Sequence, residues 1–158
     1  MTSKRSVTHA TFIVERTYPA KPARVFAAFA DPVAKARWFG GSDDPANSAF
    51  KLDFRVGGRE SNAGGPPGGP IYTFDALYQD IVPNERIVTT YEMCMDKQRI
   101  SVSVATVELL PDGAGSRVIY TEQAAFLDGL DDPDIRKQGV GDLLDALGRE
   151  LQRETAKA

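Results

Sequence analysis

The sequence predicts an α+β fold in which a curved antiparallel sheet of about seven strands wraps on one long C-terminal helix, with two short helices after the first strand. Three observations carry this expectation. From Asp132 to about Thr155, apolar residues fall at Val140, Leu143, Leu144, Leu147 and Leu151, a spacing that gathers them on one face of a helix. Asp142, Asp145, Arg149 and Gln152 fill the other side, so the helix is amphipathic and must lie on something. Between residues 70 and 126 the chain is rich in β-branched and aromatic types and broken by turn residues at Pro83-Asn84, Asp96-Lys97 and Pro111-Asp112-Gly113, as consecutive antiparallel strands are. Two short helical stretches beside prolines precede that region.

In chain order, residues 1–8 read as a disordered extension and 9–155 as one domain, a size that 158 residues suit. His9 to Tyr18 forms the first strand, ended by Pro19. Pro22 opens a helix through Ala30 with Val25, Phe26 and Phe29 on one face, and Asp31-Pro32 stops it. A second short helix carries Val33 and Ala36 to Trp38-Phe39, with Gly40-Gly41 as its left-handed end. Phe50 to Val56 alternates apolar and polar residues and reads as a half-buried strand broken by Gly57-Gly58. Ser61 to Pro70, SNAGGPPGGP, reads as a loop joining two strands of a hairpin. Ile71 to Asp80 puts Tyr72, Phe74, Ala76 and Tyr78 on one inward face. Strands follow over Arg86–Met95, Arg99–Leu110 and Ser116–Phe126. Asp132 as N-cap and Pro133 at the first helical position start the last helix.

Composition narrows the function. A net charge of −3 from 19 basic and 22 acidic residues, interspersed along the chain, argues against nucleic acid as a partner. A single cysteine, Cys94, and a single histidine, His9, far apart in sequence, offer no metal-ligand cluster. The expectation is therefore no metal and no cofactor. No run of apolar residues is long enough to span a membrane, and no signal-peptide pattern opens the chain, which predicts a cytoplasmic protein, monomeric or a homodimer.

Four segments together resemble a known family: Pro22-Ala23-Arg24-Val25-Phe26-Ala27-Ala28-Phe29, Trp38-Phe39-Gly40, Asp53-Phe54-Arg55-Val56-Gly57-Gly58, and Ile81-Val82-Pro83-Asn84-Glu85-Arg86-Ile87. In order and spacing they are similar to the standalone homologues of the activator of heat-shock protein 90 ATPase, within the START-like, helix-grip (SRPBCC) superfamily. The resemblance covers roughly residues 9–155 and implies a helix-grip fold enclosing a cavity for apolar small molecules. One departure stands out: members often carry a Gly-Trp pair near the start of the last helix, whereas Gly139-Val140-Gly141 stands here, implying a roomier or different entrance.

Fold alone does not confer an activity, so the candidate ligand-binding residues are those directed at such a cavity: Trp38, Phe54, Tyr72, Phe74, Tyr78, Tyr120, Glu122, Leu144 and Gly148. Catalytic residues are not assigned. If Val118 and Tyr120 face the helix, strand alternation carries Glu122 inward as well, where a carboxylate either finds a partner, for which Arg99 is one candidate if the registers match, or loses its charge. Gly141, Leu144, Gly148 and Leu151 make a stripe whose glycines fit either close helix-to-sheet packing or room for a ligand. The leading expectation is binding of a small hydrophobic molecule, aromatic or lipid-like. Two alternatives use the same fold: an enzyme of the polyketide cyclase or hydrolase type, and a co-chaperone-like adaptor between proteins.

Overall fold

The computed structural model describes residues 5–40 and 49–155, with side chains to Arg153. Gly41 and the first four residues of the expected extension lie outside the described residues. A first strand, β1 (Val7–Tyr18), precedes α1 (Pro22–Ala30) and α2 (Pro32–Trp38). Six strands follow: β2 (Lys51–Leu52), β3 (Arg59–Gly64), β4 (Tyr72–Val82), β5 (Arg86–Met95), β6 (Gln98–Asp112) and β7 (Gly115–Leu127). The chain then runs into α3 (Pro133–Thr155). Among the described residues all strands join one antiparallel sheet in the order β1-β7-β6-β5-β4-β3-β2. The first strand thus pairs with the last, Tyr18 opposite Ser116 and Val7 opposite Leu127, and the fold is the expected helix-grip arrangement.

Local chemistry sets the helix boundaries. Asp31 ends α1 and caps α2, its side chain accepting from the Val33 N–H at 3.2 Å, with Pro32 at the position where a missing N–H costs nothing. Asp132 caps α3 in the same way, accepting from the Asp134 N–H at 2.8 Å. The α3 stripe is buried as its spacing requires: Val140, Leu144, Leu147 and Leu151 are all in the core. They meet Phe12, Val14, Phe29, Val107, Leu109 and Val118 from the sheet and α1.

Two segments differ from expectation. Only Lys51–Leu52 of the Phe50–Val56 stretch pairs as strand; beyond it the chain turns, with the Gly58 N–H donating to the Arg55 carbonyl at 2.8 Å and Gly57 at φ +84°. Alternation reports which side chains face inward, and Phe54 does pack on the core, but it does not report whether the backbone finds a ladder partner. Conversely, Ser61–Gly64, read as loop, continues β3 and pairs with β4, Asn62 opposite Phe74. Its ladder uses backbone groups alone, so small and polar side chains hide it. The turn is confined to the segment between Gly64 and Tyr72.

Polar ties fasten α3 to its surroundings. The Tyr18 hydroxyl donates to the Leu144 carbonyl at 2.6 Å, Arg37 on α2 donates to the Glu150 carboxylate at 2.5 Å, and Arg24 on α1 donates to the Leu151 carbonyl at 2.8 Å. Gly148 allows the first of these: a Cβ there would lie 3.2 Å from the Tyr18 ring. Close packing is therefore the reason for that glycine.

Candidate functional site

The concave face of the sheet and the first half of α3 do not meet fully. Between them lies a cavity of about 610 Å³, closed at one end by α2 and walled by β3 to β7. Its walls are chiefly rings and aliphatic chains, among them Phe29, Trp38, Phe39, Phe74, Ile100 and Val107. The Phe39, Phe74 and Tyr91 rings form a continuous series, with centroids 5.2 and 4.9 Å apart, a geometry that aromatic pairs favour. Tyr72 and Ile135 line the cavity and are also solvent-exposed, 37% and 67%, so the mouth lies between the start of β4 and the start of α3.

Two buried polar clusters border the cavity. At the α2 end, the Lys35 ammonium donates to Glu60 Oε1 at 2.6 Å and to the Tyr78 hydroxyl oxygen at 3.3 Å, while Tyr78 donates to the same Glu60 oxygen at 2.5 Å. The register explains the meeting: Glu60 on β3 stands opposite Ala76 on β4, two residues from Tyr78 on the same face. Lys35 is only 7% exposed and Glu60 1%. Lys35 Nζ also sits 4.6 Å from the Phe39 ring centroid, within cation–π range. Burial, reinforced by the Glu60 carboxylate, pushes the Tyr78 phenol far above its usual pKa, which keeps its proton available for donation.

At the α3 end, Glu122 is fully buried and collects four donors. Tyr91 and Ser103 donate to Oε2 at 2.6 and 2.8 Å, Tyr120 donates to Oε1 at 3.0 Å, and Arg136 reaches Oε2 at 3.2 Å. Arg136 also donates to Ser101 at 2.8 Å and pairs with Asp131. Burial opposes its charge, yet Tyr91, Glu122 and Asp131 together raise its pKa. Burial first, and Glu122 second, raise the phenols of Tyr91 and Tyr120.

The nine candidate residues divide. Trp38, Tyr72, Phe74, Tyr78, Tyr120 and Leu144 line the cavity. Phe54 does not; it packs edge-on against Tyr78 and Phe26 at 5.0 and 5.5 Å and supports the wall from behind. Gly148 faces Tyr18 instead of the cavity. Glu122 is inward, as its parity requires, but holds the lining residues Tyr91, Tyr120 and Arg136 in place without lining the cavity itself. Its cationic partner is Arg136; Arg99 pairs with Glu92 at 2.8 Å on the exposed side, because an extra residue at Ile100, where Met93 pairs with Ser101 but Cys94 with Arg99, breaks the alternation that would otherwise carry Arg99 inward with Ser101 and Ser103.

Several polar lining residues escaped the sequence reading, among them Lys35, Glu60, Tyr91, Asp131 and Arg136. Arg136 and Lys35 do leave a signal. Arg136 lies four residues before Val140, so the apolar stripe of α3 extended backwards lands on it. Lys35 stands three and four residues before Trp38 and Phe39, on the apolar face of α2. Glu60 leaves none, since Arg59-Glu60-Ser61-Asn62 shows no apolar alternation at all.

Comparison with known proteins bears on the family. An uncharacterized protein of Rhizobium leguminosarum of known structure is 42% identical, with 95% of this chain and 99% of that one covered and a TM-score of 0.89. A protein of Rhizobium loti is 49% identical over 92% of this chain and 99% of its own, with a TM-score of 0.85. A protein of the dynemicin biosynthetic locus, 16% identical, shares the fold at a TM-score of 0.63 over 90% of this chain and 47% of its own. Among curated proteins none matches. The family model described as activator of Hsp90 ATPase homolog 1-like protein matches residues 19–152, a span that holds both polar clusters and most of the sheet, and the chain belongs to that family.

Proposed function

We propose that the protein binds a small hydrophobic molecule, of aromatic or compact lipid-like shape, in the cavity between the sheet and α3. One observation carries the reading: a space of about 610 Å³ walled mainly by aromatic and aliphatic side chains with a few fixed polar groups, which is the form that small-molecule sites take, at ~300–1,000 Å³. The reading needs no metal or cofactor and has the protein act as a cytoplasmic monomer or homodimer. Among the described residues no helix is long and apolar enough to cross a membrane. Trp38, the single tryptophan, lies in the wall, so naphthalene should quench or shift its emission and raise the melting temperature. A Cβ at Gly139 would meet nothing within 4 Å, and this residue lines the cavity; Gly139→Phe should fill the space and weaken binding by about tenfold or more while circular dichroism stays unchanged. Unaltered emission and melting temperature across a series of aromatic and aliphatic hydrocarbons would overturn the reading.

A cyclase- or hydrolase-type enzyme would use the same cavity. Glu60 favours that alternative, because a carboxylate in the wall beside bound substrate is what a general base requires. The co-chaperone alternative would rest on an exposed docking patch, and the cavity does not bear on it.

A further inference from the structure

The Lys35–Glu60–Tyr78 cluster is satisfied on one side only. Glu60 Oε1 accepts from both Lys35 and Tyr78, whereas Oε2, equally buried, has no hydrogen-bond partner among the described residues. A carboxylate offers about four lone-pair positions over its two oxygens, and a buried one left unmatched is unfavourable. Glu60 belongs to the cavity wall, next to the series of rings formed by Trp38, Phe39 and Phe74. From this geometry we infer that the cavity takes an aromatic ligand bearing a neutral hydrogen-bond donor, a phenol-type hydroxyl, which donates to Glu60 Oε2 while its ring lies among those side chains.

Three features select that chemistry. The free acceptor calls for a donor, so an ether or ketone oxygen gains nothing there. A cationic donor is disfavoured, because the Lys35 ammonium already sits 2.6 Å from the other oxygen of the same carboxylate and would repel a second positive charge across a dry site. An anion is disfavoured as well, since the unmatched oxygen is itself an acceptor bearing negative charge. Lys35 and Tyr78 both direct their donors at Oε1, and Lys35 is held further by the Phe39 ring at 4.6 Å.

The inference rests on the cavity being a site for aromatic molecules, and one set of titrations separates the two. Calorimetry near neutral pH would compare naphthalene, β-naphthol, the methyl ether of β-naphthol, and β-naphthylmethylamine, which share a ring system and differ in the polar group. β-Naphthol should bind about tenfold or more tighter than naphthalene, the ether and the ammonium compound, as expected for a hydrogen bond to a charged acceptor. A Lys35→Met/Glu60→Leu double variant replaces the pair by apolar groups of similar size, a change that buried ion pairs tolerate. It should lose the preference for the naphthol, so that β-naphthol and naphthalene bind the folded variant alike. Equal binding of all four probes, tighter binding of the amine, or a preference that persists in the folded double variant would each overturn the inference and leave the cavity reading standing. Failure of every probe to bind the wild type would overturn the cavity reading and the inference with it. The wild-type comparison decides the matter even if the double variant fails to fold.

Discussion

At the scale of single residues, the two leucines at the centre of α3 should behave differently despite equal chemistry. Leu147 is fully buried in the packed core and Leu144 is 2% exposed, but only Leu144 borders the cavity. Leu147→Ala should cost about 2–5 kcal/mol, the range for leucine truncations that leave a void, and Leu144→Ala should fall at the low end, because part of its surface already faces empty space. Urea denaturation midpoints check both. Glu122→Gln should be costlier than its strand position suggested: it removes the charge on which four donors converge, and breaking such a buried pair costs about 3–5 kcal/mol. Weakened stability, with Arg136 less ordered, is the expected result. That Tyr120 and Glu122 point inward was legible from alternation along one strand. That Arg136 and not Arg99 meets them was not, because the identity of a partner depends on how α3 crosses the sheet.

At the scale of elements, the glycines of α3 make opposite predictions. Glycine inside a helix is less favourable than alanine by about 1 kcal/mol, so a substitution should help wherever space permits. At Gly139 a Cβ meets nothing within 4 Å, and Gly139→Ala should raise stability by up to about 1 kcal/mol. At Gly148 it would press on a Tyr18 ring whose hydroxyl is fixed to the Leu144 carbonyl, and Gly148→Ala should lower the melting temperature. The helices and the strands from β4 to β7 were legible because periodicity and turn residues agree there. The β2–β3 region was not: Phe50–Val56 carries a hydrophobic period but pairs only at Lys51–Leu52, while β3 is held by backbone pairing and by the buried Glu60, and a strand whose one anchoring side chain is charged carries no hydrophobic period to read.

At the scale of the whole molecule, titratable groups confine stability from both sides. Hydrogen bonding lowers the pKa of Asp128, mainly from the Ser6 N–H and then from Arg5, and Arg16 does the same for Asp145. A carboxylate with a depressed folded pKa contributes stability that is present above its unfolded value, 3.8, and lost as pH falls through the folded one. An Asp128→Asn/Asp145→Asn variant should therefore show a shallower fall of melting temperature on acidification than the wild type. The phenols of Tyr18, Tyr78, Tyr91 and Tyr120 are raised, first by burial. Their contribution is complete below the unfolded value of 10.0 and declines as pH climbs above it, so tyrosinate absorbance from these four should emerge together with loss of circular dichroism and not before it. The overall architecture was legible from the order of elements and the one long amphipathic helix; the cavity's second polar end was not, since it is assembled from α2, β3 and β4 at once. The pairing of β1 with β7 also has a meaning in time. During synthesis the first strand, with Phe12, Val14 and Tyr18 on its inward face, emerges long before its partner exists, and loops of that span close slowly. Nascent chains that stop short of Gly115 should leave residues 7–18 open to protease, and protection should arise in one step once β7 has been made.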